Sequence, residues 1–302
     1  MRLKGIIPPL VTPLDERERL DLRGIERQIN RLVSGGVDGL FLLGSSGEFP
    51  ALLDEDKITL VEMVADLVGT KLPVLVGATE PGTKRTELFI QKVKHFNIYG
   101  IVVAPPYYYP LSLKAVTEHY EYLSAKTETP IILYNIPQTT KIFIDAATIR
   151  MLAIRKSIAG VKDSSGNFSH FQQLLWQLII DEDEHQRLVP VFQGEERLAA
   201  VSLLAGADGL VPAFANVAPK LYCALWRATQ EKDFNTAMRL QQIINEAVNI
   251  YDYGSVYGSL KTALNILGVC NDVVTMPLQK PSVEERHLIV RLIERLDGEN
   301  LL

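Results

Sequence analysis

The chain has 302 residues, of which 47% are hydrophobic and 22% charged, with a net charge of −5. A chain of that size buries about 75% of its unfolded surface, so a large core is available. Lys and Arg are scattered among Asp and Glu, which argues against the basic face that a nucleic acid or an anionic membrane would need. The expected partner is a small molecule. The opening MRLKGIIPPLVTP has too few apolar residues before Pro8 and Pro9 for a secretory leader, and no run approaches the roughly 20 apolar residues of a membrane span, so the expected setting is the cytoplasm. Cys223 and Cys270 each sit in an apolar helical pattern and read as buried free thiols.

In chain order, short apolar runs recur: GIIPPLVTP from Gly5, VDGLFLLG from Val37, LPVLVGAT from Leu72, YGIVVAPP from Tyr99, PIILYNIP from Pro130, IAGVKD from Ile158, LVPVFQG from Leu188 and ADGLVPA from Ala207. Between them the apolar spacing is helical, as in Leu22, Ile25, Ile29 and Leu32 before Gly35 and Gly36, or Leu60, Val64, Leu67 and Val68 after an Asp54 placed to cap. The runs are continuously apolar, as strands buried on both faces of a parallel sheet are. No Gly-x-Gly-x-x-Gly follows the first run, and eight strand–helix units fit a closed (β/α)₈ TIM barrel, here residues 1–229. Near Gln230 the alternation stops. Three helical patterns then fill residues 230–302, with no flexible linker before them, and predict a C-terminal helical domain packed on the barrel. The aromatic residues of this tail, Trp226, Tyr251, Tyr253 and Tyr257, read as core or subunit interface.

Active sites of such barrels lie at the C-terminal ends of the strands, so the informative residues are those that end each run. Lys162 ends the sixth, Tyr134 the fifth, and Ser45 and Ser46 follow the second in LLGSSGEF. Singly, each has an ordinary reading as a solvated charge, a packed ring or a helix cap. Together they converge on one barrel mouth. A lysine amine held there gives up hydration, which favours the neutral form able to attack a ketone. Backbone N–H groups around Ser45, Ser46 and Gly47, with two hydroxyls, make a nest for a carboxylate, and the Tyr134 phenol is placed to move protons. The set describes a Schiff-base enzyme acting on a 2-oxo acid. The chain shows no His/Asp/Glu cluster with metal-ligand spacing, so neither a metal nor a cofactor is expected.

GSSGE, PPYYYP, YNIP, GVKDSSG, LLAGADG and LKTALNILG, in that order across nearly the whole chain, resemble the dihydrodipicolinate synthase and N-acetylneuraminate lyase family of class I pyruvate aldolases. The resemblance implies a (β/α)₈ barrel with a helical C-terminal domain, a homotetramer built as a dimer of dimers, and a pyruvate Schiff base on Lys162. It implies that Tyr134 handles protons and that Ser45 and Ser46 are the hydroxyl pair for protons and the pyruvate carboxylate. Tyr108 matches a tyrosine that reaches across a dimer interface, and Gly194 and Val211 match positions lining the pyruvate pocket.

The sequence departs from both named activities. Synthases resemble one another in an arginine two residues after the proline of YNxP, and that place is Thr139. Neither its hydroxyl nor the nearby Lys141 replaces a two-pronged guanidinium. Sialic-acid lyases resemble one another in an acidic pair after strand seven and a serine after strand eight, where this chain has Glu196 with Arg197, and Ala213. Thr139, Thr140, Glu195, Glu196 and Arg197, with Phe49 behind the GSSGE loop, suit a polyhydroxylated aldehyde, including one with its own carboxylate. The expected activity is that of a 2-oxo-3-deoxy sugar acid aldolase. The alternatives are the synthase, the sialic-acid lyase, a Schiff-base dehydratase and, in a different class, a binding protein for 2-oxo acids without turnover. A phosphate-binding barrel isomerase would want a glycine-rich loop after strand seven or eight, and FQGEERL and VPAFANV supply at most one glycine.

Overall fold

The computed structural model describes residues 3–181 and 186–302. Strands β1 (Gly5–Ile6), β2 (Leu40–Leu42), β3 (Val74–Gly77), β4 (Gly100–Val103), β5 (Ile131–Asn135) and β6 (Gly160–Asp163) precede a small hairpin, β7 (Ile179–Asp181) and β8 (Gln186–Arg187), and are followed by β9 (Val191–Gln193) and β10 (Gly209–Leu210). All but the hairpin pair in parallel in the order β1-β10-β9-β6-β5-β4-β3-β2. The two ends of that order meet through the Pro9–Phe41 bridge, where Leu10 N–H donates to the Phe41 carbonyl at 2.8 Å and Phe41 N–H to the Pro8 carbonyl at 3.0 Å. The sheet therefore closes into the expected barrel, with β9 and β10 as its seventh and eighth strands. The hairpin is an addition that the periodicity did not predict, and its strands pair antiparallel.

Around the barrel run α1 (Leu22–Ser34), α2 (Asp54–Val68), α3 (Thr83–Val93), α4 (Leu113–Ser124), the short α5 (Pro137–Thr140), α6 (Ala146–Ile154), α7 (Phe168–Gln177), α8 (Ala199–Leu204) and α9 (Pro219–Gln230). Then come α10 (Phe234–Ala247), α11 (Val256–Ile266) and α12 (Val283–Gly298). Local chemistry fixes where several begin. Asp21 accepts from Gly24 N–H, Asp145 from Thr148 N–H and Asn167 from His170 N–H, each offsetting a donor that the first turn leaves unpaired. Asp54 does not cap: it is the first residue of α2, Leu53 holds the cap position, and the carboxylate of Asp54 pairs with Lys57 at 3.4 Å. With Glu55 and Asp56 it still places negative charge at the positive end of the helix dipole.

Strand side chains alternate between two cores. Ile7, Phe41, Leu75, Val102, Ile132, Phe192 and Val211 fill the barrel interior beside Tyr134. The outward set, such as Leu40, Leu42, Val74, Val76, Ile101 and Val103, packs under the helices, where burying one such side chain contributes about 1.5–3 kcal/mol. That outer core continues without a break through Leu240 and Ile244 of α10, Leu260 and Leu264 of α11, and Ile289 and Ile293 of α12.

Candidate active site

The register of β5 against β6 sets Tyr134 beside Lys162 and Asn135 beside Asp163. Side chains alternate along a strand, so the first pair faces the barrel interior and the second faces the helices. Behind the sheet, Asn135 Nδ2 donates to Asp163 Oδ1 at 2.7 Å and Ser165 Oγ to Asp163 Oδ2 at 2.8 Å, while Asn135 Oδ1 accepts from Ile144 N–H at 3.2 Å. Burial pushes the Asp163 carboxyl up, against the hydrogen bonds from Ser165 and Asn135, and pushes the nearby His170 down. This network holds the two strand ends in register.

On the inner face, the side chain of Lys162 is almost wholly buried, with Nζ 3.9 Å from the ring centre of Tyr134 and 5.0 Å from that of Phe41. It forms no ion pair among the described residues. Its Nζ opens on a cavity of about 290 Å³ lined by Ser45, Ser46, Tyr134, Lys162, Gly194, Glu196, Arg197 and Val211, together with Pro9, Ile136, Gln138, Ser164, Glu195, Ala213, Val248 and Tyr251. Gly194 is there by necessity: a Cβ would stand 2.0 Å from Ser164 Oγ and 3.1 Å from Lys162 Cε.

Six of the residues singled out in the sequence, Gly47, Phe49, Tyr108, Thr139, Thr140 and Lys141, lie outside this cavity. Thr139 lines a separate, small cavity with Phe49, Tyr107 and Thr140, which shares Ser45, Tyr134 and Ile136 with the larger one. Gly47 is buried, and its N–H is already spent on the Gly44 carbonyl at 3.0 Å, so it does not donate into the cavity. Tyr108 is 76% exposed and stacks edge-on against Tyr109. Lys141 turns its Nζ onto the Gln138 carbonyl at 2.7 Å.

Glu196 lines the wall, but its carboxylate is already engaged. It accepts from the N–H groups of Ala213 and Phe214, from the phenol of Tyr222, and from the phenol of Tyr251 at 2.5 Å. Burial pushes its carboxyl up, opposed by those donors. Arg197 is exposed, and its side-chain hydrogen bond among the described residues goes to a neutral acceptor, Asn249 Oδ1, at 3.3 Å.

Sequence reading missed Ser164, Gln138, Val248 and Tyr251. Ser164 had a signal, because it lies two residues past Lys162 and so shares its face. Gln138 follows the YNIP turn and donates to the Ser164 carbonyl at 2.9 Å. Val248 and Tyr251 had none: Tyr251 was read as core or subunit interface and Val248 was not singled out, and they reach the cavity because the turn after α10, Val248–Asp252, folds over it.

A closed (β/α)₈ barrel with a buried lysine at the mouth, in no ion pair among the described residues, and with a phenol and two hydroxyls beside it matches the class I aldolases, which use a lysine amine as electron sink where other aldolases use a metal. The chain belongs to the dihydrodipicolinate synthetase family, whose model matches residues 2–296. Members are lyases, class I pyruvate-dependent aldolases that use a lysine–pyruvate Schiff base. An uncharacterized DapA-like lyase of Halobacterium salinarum is 34% identical over 284 residues, covering 94% of this chain and 91% of its own. The solved dihydrodipicolinate synthase of Bacteroides thetaiotaomicron is 34% identical, with a TM-score of 0.89 over 97% of this chain and 99% of its own. A prophage protein of the dihydrodipicolinic acid synthase family from E. coli, solved in complex with pyruvate, is 27% identical, with a TM-score of 0.91 over 99% of each chain. Among the described residues no helix is long and apolar enough to cross a membrane.

Proposed function

We propose that Lys162 forms a Schiff base with C2 of pyruvate and that the enzyme cleaves 2-oxo-3-deoxy sugar acids to pyruvate and an aldehyde. The observation that carries this reading is the buried Lys162 amine, in no ion pair among the described residues, 3.9 Å from the Tyr134 ring centre and facing a cavity shared with Ser45 and Ser46. Lys162 adds to the C2 ketone, and loss of water from the carbinolamine leaves an iminium. Tyr134 carries the protons of those two steps with the Ser45 hydroxyl as its relay, and the Ser46 hydroxyl holds the substrate carboxylate. Having given a proton to the departing water, Tyr134 takes the proton of the C4 hydroxyl, whose oxygen becomes the aldehyde carbonyl. The C3–C4 electron pair flows to the iminium nitrogen to leave an enamine, and the same proton is available for return to C3. Protonation at C3 and hydrolysis by water release pyruvate and restore the amine. No metal or separate cofactor is needed for these steps.

The far end of the cavity supports a sugar acid over the alternatives. Gln138, Ser164 and Glu195 offer hydroxyl partners, and Arg197 offers a guanidinium with donors to spare for an anionic terminal group. Dihydrodipicolinate synthesis is disfavoured, because Thr139 lies outside this cavity and Lys141 is committed to a backbone carbonyl. Exposed Tyr108 is proposed to meet a second copy in a homotetramer, to be checked by sedimentation of the wild-type protein and a Tyr108→Ala variant.

Borohydride trapping with pyruvate, followed by peptide mass analysis, is expected to label Lys162 and to leave Lys162→Ala unlabelled. A panel of 2-oxo-3-deoxy acids is expected to release pyruvate. Arg197→Gln should raise KM for acids with an anionic far end by roughly 10- to 100-fold, the loss of a charge-assisted hydrogen bond. Turnover of aspartate semialdehyde with no pyruvate released from any acid would replace this reading with the synthase. A reversible complex with pyruvate and no covalent adduct would replace it with a binding protein.

A further inference from the structure

The turn that carries Ser45 and Ser46 is held between two residues in the left-handed region, Leu43 at φ 55° and Glu48 at φ 56°. L side chains adopt that conformation only where the surroundings impose it, and such residues cluster at functional sites. The surroundings here are specific. Gly77 on β3 admits the Leu43 backbone, since a Cβ there would stand 2.1 Å from the Leu43 carbonyl oxygen. Thr12 Oγ1 donates to the Gly47 carbonyl at 2.8 Å.

The strongest hold comes from the far end of the chain. The Glu48 side chain is fully buried, and so is its ion-pair partner, Lys261 of α11, with Nζ 2.5 Å from Glu48 Oε1. Glu48 Oε2 accepts from the N–H of Thr275 at 2.7 Å and from its hydroxyl at 2.8 Å. Lys261 Nζ also donates to the Val273 carbonyl at 2.6 Å. Taking both charges out of water costs more than a well-packed apolar pair would, so stability alone does not explain the arrangement. An ion pair with directed hydrogen bonds does what an apolar contact cannot: it fixes one orientation of the strained turn. Neither Glu48 nor Lys261 lines the cavity.

We infer that the buried Glu48–Lys261 ion pair is a positioning device for the Ser45 hydroxyl, through which α11 and the Val273–Thr275 segment set the reacting geometry at Lys162 without touching substrate. This rests on the Schiff-base reading, because that hydroxyl matters only if the amine reacts.

The test uses pyruvate alone and so needs no knowledge of the natural aldehyde. Exchange of the pyruvate methyl protons in deuterated water reports formation of the enamine. It is measured with borohydride trapping and melting temperature for wild type, Glu48→Gln/Lys261→Met, Ser45→Ala and the combination. The neutral pair is expected to keep the fold, retain trapping at Lys162 and lose about tenfold or more in exchange rate, as small misplacements of reacting groups do. In the Ser45→Ala background the same two substitutions should change exchange by less than about twofold, because their effect passes through Ser45. Equal losses in both backgrounds, or undiminished exchange in the folded neutral-pair protein, would overturn the inference. Should that protein not fold, Thr275→Val removes one hydrogen bond to Glu48 and leaves the pair. Its expected loss is about threefold, again confined to the Ser45 background, and additive behaviour overturns the inference as before. Absence of a wild-type adduct at Lys162 would sink the Schiff-base reading and this one with it, whereas trapping with additive losses would sink this one alone.

Discussion

A single methyl group added at Gly194 would measure how closely the cavity is built around the Lys162 side chain. A Cβ at that position stands 2.0 Å from Ser164 Oγ and 3.1 Å from Lys162 Cε, so Ser164 must rotate and the lysine stem must give by a few tenths of an ångström. Gly194→Ala is expected to lower pyruvate methyl exchange by about tenfold, a displacement effect, with only a few degrees of change in melting temperature. Glu196 behaves differently. Its carboxylate accepts from two backbone N–H groups and two phenols, and a glutamine there would present an amide donor to other donors. Glu196→Gln should cost about 1–3 kcal/mol in urea denaturation, the penalty of unsatisfied buried partners. At this scale the sequence was legible where a residue's place in a strand determines where it points. Lys162 and Tyr134 were placed at the cavity that way, Ser164 could have been, and Val211 came only from the family resemblance. It was misleading where chemistry was assigned from residue type alone: the acidic side chain of Glu196 faces its own protein, and the N–H of Gly47 closes its own turn.

The strand pair β5–β6 shows what one element does for another. Asn135 and Asp163 are bonded on the helix side, which holds Tyr134 and Lys162 level on the cavity side. Asp163→Ala leaves the Asn135 amide and the Ser165 hydroxyl without their acceptor. It should destabilise the protein by about 2 kcal/mol or more and weaken pyruvate trapping as well, measured by urea denaturation and by adduct yield. A substitution of similar burial far from the site would move only the first. The strands of the barrel were legible because continuous apolar runs mark sheets covered on both faces, and the three C-terminal helices because their spacing is helical. The β7–β8 hairpin was not, since Ile179 and Ile180 continue the apolar pattern of α7 and nothing local marks where helix gives way to strand. The start of α2 differs from expectation by one residue, because Leu53 takes the cap position that Asp54 was expected to fill.

For the whole molecule, pH exposes a cost that sequence does not show. His119 of α4 is 3% exposed, shares a 2.8 Å hydrogen bond between Nδ1 and Thr83 Oγ1, and is pushed down to about 4 by burial. In the unfolded chain a histidine titrates near 6.5. Between those values the unfolded state binds the extra proton, so the contribution is fully present above about 6.5 and is lost as pH falls towards 4. The span corresponds to about 3 kcal/mol at most. His119→Gln does not titrate there, so its acid-side stability curve should be flatter than that of wild type, whatever its stability at neutral pH. Parallel curves from pH 7 to 4 would contradict the buried neutral imidazole. At this scale barrel closure was legible from the count of units. The folding of the turn after α10 over the cavity was not, because contacts between residues far apart in the chain leave no local pattern.

That cavity has one wall from Pro9 and another from Val248 and Tyr251. The cavity therefore takes its form only once the segment carrying Val248 and Tyr251 has joined Pro9, and a fragment ending before Val248 lacks that wall. On the proposed Schiff-base reading, the same wiring makes a bound keto acid a clasp between segments far apart in the chain. Occupancy protects the molecule against global opening rather than one loop against fraying, and protease resistance on adding pyruvate should rise from the first strand to the last helices together.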